Sequence, residues 1–191
     1  MKIGIFGGTF NPIHVGHAII ANYVIQNCGL DKLWLMVAPL NPFKKDVGEH
    51  YDMQRLRMAE LVSRKLDNVE TSGFEFSLPR PSYTIDTLNA LQEKFPEDEF
   101  VLVIGADNWV AFNRWARYQE ILDKYQVLVY PREGYNVEIP EDLHGKVNLV
   151  EAPIVEVSST AIREGVKEGK NMSFYMPDDV YRYVLQQKLY Q

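Results

Sequence analysis

Cysteine is nearly absent from this chain: Cys28 is the single one among 191 residues. One thiol can form no internal disulfide, and no cysteine cluster exists to cage zinc or an iron–sulfur centre. Positive charge is also scarce. The 20 lysines and arginines stand against 26 aspartates and glutamates, a formal net charge of -6. Proteins that track along nucleic acid or lie on anionic lipid need basic stripes, so neither partner is expected. Long apolar runs are missing too. The most apolar stretch, Leu33 to Leu40, is interrupted by Pro39 and falls far short of the ~20 residues that span a bilayer. The amino terminus lacks the apolar segment of a secretion signal, so residence in the cytoplasm is the expectation. Internal repeats and low-complexity tracts are absent as well.

What is present is an ordinary core-forming composition, 46% hydrophobic and 24% charged. The length suits a single domain over residues 1–191. Strand-like apolar runs recur at Ile3–Phe6, Leu33–Ala38, Val69–Phe76, Phe100–Ile104, Val127–Tyr130 and Val147–Val150. Helical patterns fall between and after them, at His14–Cys28, Asp52–Leu66, Thr84–Phe95, Asn108–Tyr125, Ser159–Glu168 and Asp178–Leu189. This alternation predicts an α/β fold: a Rossmann-like, doubly wound parallel sheet sandwiched between helices. Ligands of such sheets bind beyond the carboxyl ends of the strands. A nicotinamide dehydrogenase is nonetheless disfavoured. No G-x-G-x-x-G follows the first strand, and the second ends in Ala38-Pro39-Leu40-Asn41, without an acid for a ribose hydroxyl.

The densest chemistry lies in Gly7-Gly8-Thr9-Phe10-Asn11-Pro12-Ile13-His14-Val15-Gly16-His17. A strand, a glycine-rich turn and a helix start make an anion site, because free backbone N–H groups and the positive end of the helix dipole meet there. The double glycine lets backbone approach a bulky anion and can take angles barred to other residues. His14 and His17, three apart, share one side of the first helical turn and can both reach an anion resting there. Near the other end, Ser158, Ser159 and Thr160 are good helix N-caps, placing a second helix start, with Arg163, where it could take phosphate oxygens. Lys44, Lys45, Arg132 and Arg163 are the candidate local cations. On histidine charge, a helix N-terminus disfavours imidazolium and a bound polyphosphate favours it. The polyphosphate's full charges lie closer, so charged rings are expected in the complex.

The first segment resembles the G-G-T-F-D-P-I-H-x-G-H motif of nucleotidylyltransferases, with Asn11 for the aspartate. Val157-Ser158-Ser159-Thr160-Ala161-Ile162-Arg163 resembles the same superfamily's I-S-S-T-x-I-R motif. Pro81-Ser82-Tyr83-Thr84-Ile85-Asp86-Thr87-Leu88, Ile104-Gly105-Ala106-Asp107 with Trp115, and Pro131-Arg132-Glu133-Gly134-Tyr135 are similar to nicotinate mononucleotide adenylyltransferases. The resemblance covers nearly the whole chain. It implies adenylyl transfer from ATP to nicotinate mononucleotide, with Mg2+ brought by the nucleotide. His14, His17, Lys44 and Arg163 would act on the phosphates, while Gly7, Gly8, Thr9, Phe10, Ser158, Ser159 and Thr160 would hold ATP. Trp115 would stack on the pyridine ring and the Thr84 N–H would meet its carboxylate. Asp107 would accept from ribose, and Arg132 would take the mononucleotide phosphate. Read without the resemblance, Trp115 is a half-buried core residue, Asp107 and Thr84 are helix caps, and Arg132 is a solvated arginine. Tyr83 and Trp109 are expected to pack.

Two departures from the family pattern stand out: Asn11, and Phe43 where the family commonly has histidine before Lys44, with Lys45 as a substitute charge. Alternative readings are a phosphopantetheine adenylyltransferase, a cytidylyltransferase, and a non-catalytic nucleotide sensor. The sensor would be expected to have damaged histidines in the first motif, and here both are intact.

Overall fold

Every strand pairs in parallel, in the order β3-β2-β1-β4-β5-β6. The strands are β1 (Lys2–Gly8), β2 (Lys32–Val37), β3 (Val69–Ser72), β4 (Glu99–Gly105), β5 (Gln126–Tyr130) and β6 (Val147–Leu149). The computed structural model describes residues 1–39 and 50–191. Its helices are α1 (Val15–Asn27), α2 (His50–Ser63), α3 (Thr84–Lys94), α4 (Ala106–Val110), α5 (Tyr118–Lys124), α6 (Ser159–Lys167) and α7 (Asp178–Gln186). The strand order reverses between β1 and β4, which opens a crevice at their carboxyl ends. Among the described residues no helix is long and apolar enough to cross a membrane.

Side-chain alternation divides β1 between two cores. Ile3 and Ile5 join a cluster with Ile85, Leu88 and Leu91 of α3 and Ile121 of α5. Phe6 joins the opposite cluster, with Ile20 and Val24 of α1, Met58 of α2, Ile162 of α6 and Val180 of α7. Both faces of the sheet are thus covered, as near-continuous apolar strands require. Gly4 marks a tight approach on the second face. A Cβ there would lie 2.6 Å from Leu30 Cδ1 and 2.7 Å from Leu33 Cδ1.

The fold matches the sequence expectation strand for strand, with two local differences. The run Val69–Phe76 is strand only to Ser72; a 3-10 turn, Phe74–Ser77, follows. The pattern Asn108–Tyr125 is not one helix. It breaks into α4, a 3-10 turn at Phe112–Arg114, and α5, with Arg117 in the left-handed region at φ 51°. Phe112 is buried at the break, with Trp109, Trp115 and Tyr118 packed around it. Aromatic packing outweighs helix continuation here. The stretch from Gly134 to Gly145 is largely exposed loop, as its composition suggests.

Gly4→Ala should destabilise the protein by about 1–3 kcal/mol, the usual cost of overfilling a packed core. Urea denaturation checks this, and an unchanged midpoint would show that the two leucines yield freely.

Candidate active site

The first helix begins with its own catalytic-looking pair locked together. His14 is the N-cap of α1. The His17 backbone N–H donates to His14 Nδ1 at 3.4 Å, and the His14 backbone N–H donates to His17 Nδ1 at 3.2 Å. This is a capping box built from two imidazoles, which stack at 3.7 Å between ring centroids. The geometry fixes the tautomer. A ring nitrogen that accepts carries no proton, so each neutral ring bears its hydrogen on Nε2. Burial pushes the His14 pKa down to about 4, assisted by the positive charge of Arg132. His17 is pushed well below the usual range by burial, then by His14 and Arg132. The sequence-based expectation of charged rings meets an obstacle here: a second proton would have to displace a capping hydrogen bond.

The double glycine does not use the angles barred to other residues. Gly7 and Gly8 are strand residues at the end of β1, and neither has a positive φ. Gly7 leaves open space where a Cβ would stand, and a Cβ on Gly8 would lie 2.9 Å from the Phe10 ring. The left-handed turn falls to Phe10, at φ 46°. Its buried ring meets Phe6 and His17 edge-on. Thr9 stays exposed at the cleft edge.

The late serine-rich segment closes on this turn. Ser158 caps α6, accepting from the Ala161 N–H at 3.1 Å. Ser159 Oγ donates to the Pro12 carbonyl at 2.9 Å, and Arg163 Nη1 donates to the Asn11 carbonyl at 2.8 Å. Arg163 Nη2 also donates to Thr160 Oγ1 at 3.3 Å. The N-termini of α1 and α6 therefore converge on one turn. Lys44 and the departure Phe43 lie outside the described residues, as does Lys45.

An open cleft of about 460 Å³ runs from this turn along the carboxyl ends of β1 and β4. Gly7, Gly8 and Thr9 line one end, and Thr84 and Trp115 line the other. Thr84 opens α3, with Tyr83 rather than Thr84 in the capping position. Trp115 is half-buried against Phe112, one face of its surroundings shared with Ser82, Tyr83 and Arg114. Tyr83 is exposed instead of packed, whereas Trp109 stacks on Phe112 as expected. Asp107 and Arg132, read separately from the sequence, form an ion pair at 3.3 Å. Asp107 is the second residue of α4 and not its cap. Arg132 also lies over the Tyr130 ring and lines a small pocket with the two histidines.

A family model described as cytidylyltransferase-like matches residues 5–165. A relative from Bacteroides fragilis, described as a probable nicotinate-nucleotide adenylyltransferase, is 45% identical over 97% of this chain and 92% of its own. A second from Flavobacterium johnsoniae, described in the same words, is 46% identical over 96% of each. The chain belongs to the nicotinate-nucleotide adenylyltransferase family. The fold agrees: the nicotinic acid mononucleotide adenylyltransferase of Plasmodium falciparum, solved with NaAD, superposes with a TM-score of 0.77. It does so at 16% identity, over 99% of this chain and 97% of that one.

Several residues around this adenylyltransferase cleft escape a reading by motif. Glu75 lines it, accepting from Thr87 Oγ1 at 2.9 Å, and burial pushes its carboxyl above the ordinary range. The run Val69–Phe76 reads as strand from its sequence, and nothing in that pattern marks the 3-10 turn that carries Glu75. Tyr190 donates its hydroxyl to Asn11 Oδ1 at 2.6 Å, which gives the Asn11 departure a structural partner. Arg55 is fully buried behind the turn, although an arginine in an amphipathic helix ordinarily reads as solvent-facing.

The neutral histidines carry a pH signature. Below pH 6.5 the imidazoles of the unfolded chain take up protons, while His14 in the folded protein stays neutral until about pH 4. The unfolded state then binds more protons, so stability falls as pH drops through that window. His14→Asn, which retains a capping side chain, should show a shallower fall between pH 6.5 and 4.5 in urea midpoints. Identical slopes would place the His14 titration at its ordinary value.

Proposed function

We propose that the protein transfers the adenylyl group of ATP to nicotinate mononucleotide, giving deamido-NAD and pyrophosphate, a step of NAD biosynthesis. The observation that carries this reading is the junction of two helix N-termini at the turn that follows Gly7–Thr9, with two Nε2–H imidazoles beside it, while Gly7–Thr9 themselves line a cleft shared with Thr84 and Trp115. Cationic and polar donors at one end suit a polyphosphate, and an aromatic face with a helix start suits a pyridine carboxylate. The relatives' names give the same acceptor and the same transferred group.

The acceptor's 5′-phosphate oxygen forms a bond to the α-phosphorus of ATP, and the bond from that phosphorus to the bridging oxygen breaks, releasing pyrophosphate. The nucleophile is already anionic, so no general base is needed. Catalysis reduces to in-line alignment and neutralisation of charge on the equatorial oxygens. His14 and His17 donate from Nε2 to phosphate oxygens as neutral rings, preorganised by their mutual cap. Gly7 leaves room for the triphosphate, and backbone N–H groups at Thr9 and Phe10 join the α1 and α6 starts around it. Ser158, Ser159 and Thr160 hold the second helix start in place. Arg163 and Lys44 act on the β- and γ-phosphates. Thr84 and Trp115 receive the nicotinate ring, and Asp107 the ribose hydroxyls. Arg132 bridges from Asp107 toward the mononucleotide phosphate.

Magnesium fits as a companion of the nucleotide. Among the described residues no three carboxylate or imidazole groups gather as a metal cage, and Asp107 is paired with Arg132. The groups around the turn hold anions, so phosphate oxygens would be its ligands. When bound, the ion neutralises charge on the triphosphate. Activity in the cytoplasm belongs to this reading.

Pyrophosphate release is the direct test, with ATP against nicotinate mononucleotide, nicotinamide mononucleotide and phosphopantetheine. Turnover is expected with nicotinate mononucleotide. Turnover with phosphopantetheine alone would reassign the substrate, and none with any acceptor would favour a nucleotide sensor. His17→Ala removes one preorganised donor and should lower kcat by roughly a hundredfold or more. Trp115→Ala should raise KM for the mononucleotide about three- to tenfold, the worth of one aromatic stack, with KM for ATP little changed. The reverse pattern would move the pyridine ring elsewhere.

A further inference from the structure

Behind the phosphate-binding turn sits a charged network that the proposed chemistry does not use. Arg55, on α2, has no exposed surface. Its Nη1 donates to the Thr9 carbonyl and, at 2.7 Å, to the Ala38 carbonyl, so one guanidinium joins the residues that follow β1 and β2. Its Nη2 donates to Asp52 Oδ1 at 2.5 Å. The other Asp52 oxygen accepts from Arg80 Nη2 at 3.3 Å. Arg80 directly precedes the segment Pro81–Thr84, whose Ser82 and Thr84 line the acceptor end of the cleft. Each oxygen of one buried carboxylate thus serves a different end of the site.

Stability alone does not account for this arrangement. Burying an ion pair costs several kcal/mol per ion, and apolar residues of similar volume often serve a fold equally well or better. A guanidinium, however, has a planar fork that can hold two carbonyls and a carboxylate at once. The C=O and N–H of a trans peptide point in opposite directions. Fixing the Thr9 carbonyl on Arg55 therefore fixes the Phe10 N–H on the side away from α2. We propose that Arg55, Asp52 and Arg80 form a positioning relay that sets the nucleotide turn and the acceptor segment in register with each other. The relay rests on the adenylyl-transfer reading for the identity of its two substrates, and its residues touch neither of them.

The test compares steady-state constants of Arg80→Gln and Arg55→Met with the wild type, using ATP and nicotinate mononucleotide. Arg80 has a side chain only a third exposed yet lies at the network's outer end, 33% against 0% for Arg55. Arg80→Gln should raise KM for the mononucleotide about tenfold, with KM for ATP within twofold. Arg55→Met keeps the side-chain volume and removes the fork. It leaves the Asp52 carboxylate with Arg80 alone and should lower the thermal midpoint, while kcat measured well below that midpoint falls at least tenfold. A role in packing alone would lower the midpoint and leave kcat of the folded variant at the wild-type value. Wild-type constants in both folded variants would overturn the relay, whatever their melting temperatures. If Arg55→Met fails to fold, the KM split in Arg80→Gln decides by itself. Wild-type turnover of this substrate pair is measured first. Its failure would overturn the functional reading and the relay with it, whereas unchanged variants of an active wild type overturn the relay alone.

Discussion

A hydrogen bond between residues 147 positions apart, from Ser159 to the carbonyl of Pro12, closes the site. With the Arg163 bond to Asn11, it brings a late helix onto the turn that follows the first strand. Either helix start alone is an ordinary structural cap, since serines at such positions mostly satisfy backbone N–H groups. Together they bring two partial positive charges to one place, which an isolated helix end cannot do. The parallel sheet makes this possible. Its order reverses between β1 and β4, so loops leaving neighbouring strands separate and leave a gap.

The paired histidines show how a local rule can be turned to chemical use. Capping needs an acceptor at the start of a helix, and imidazole can supply one only while neutral. Each ring is held by the other's backbone, so neither can rotate without opening the cap. In the proposed reaction the donors presented to phosphate are therefore uncharged but fixed in direction. Preorganised dipoles of this sort lose little in reorientation as charge develops on a phosphate, and the partly buried site strengthens them.

The sheet and most helices were legible because apolar period and turn residues agree along the chain. So was the location of the candidate site, because helix-start signals and histidines cluster in two short segments. The misread places share one cause, which is tertiary packing overriding a local pattern. Phe112, surrounded by three aromatic rings, breaks a segment whose spacing reads as one helix. Gly7 and Gly8 read as a turn, but the left-handed conformation sits on Phe10, held there by burial of its ring. Arg55 and Glu75 carry charge into the interior, and nothing in the pattern of their own helix or turn signals that. Pairings such as Asp107 with Arg132 join residues far apart in the chain and are visible only in three dimensions.

The bond from Tyr190 to Asn11 links positions 179 residues apart. It bears on how the protein is made. Translation delivers the first loop early, and at about 5–20 residues per second its distant partner follows roughly 10–40 s later. Throughout that interval the nascent turn lacks Tyr190, and for most of it Ser159 and Arg163 as well, and with them contacts that steady its backbone. A growing chain therefore presents an unfinished pocket, and under the proposed function nucleotide rewards folding only once the late helices have left the ribosome. Ligand binding then acts as a seal on complete molecules, stabilising them by mass action while passing over truncated ones.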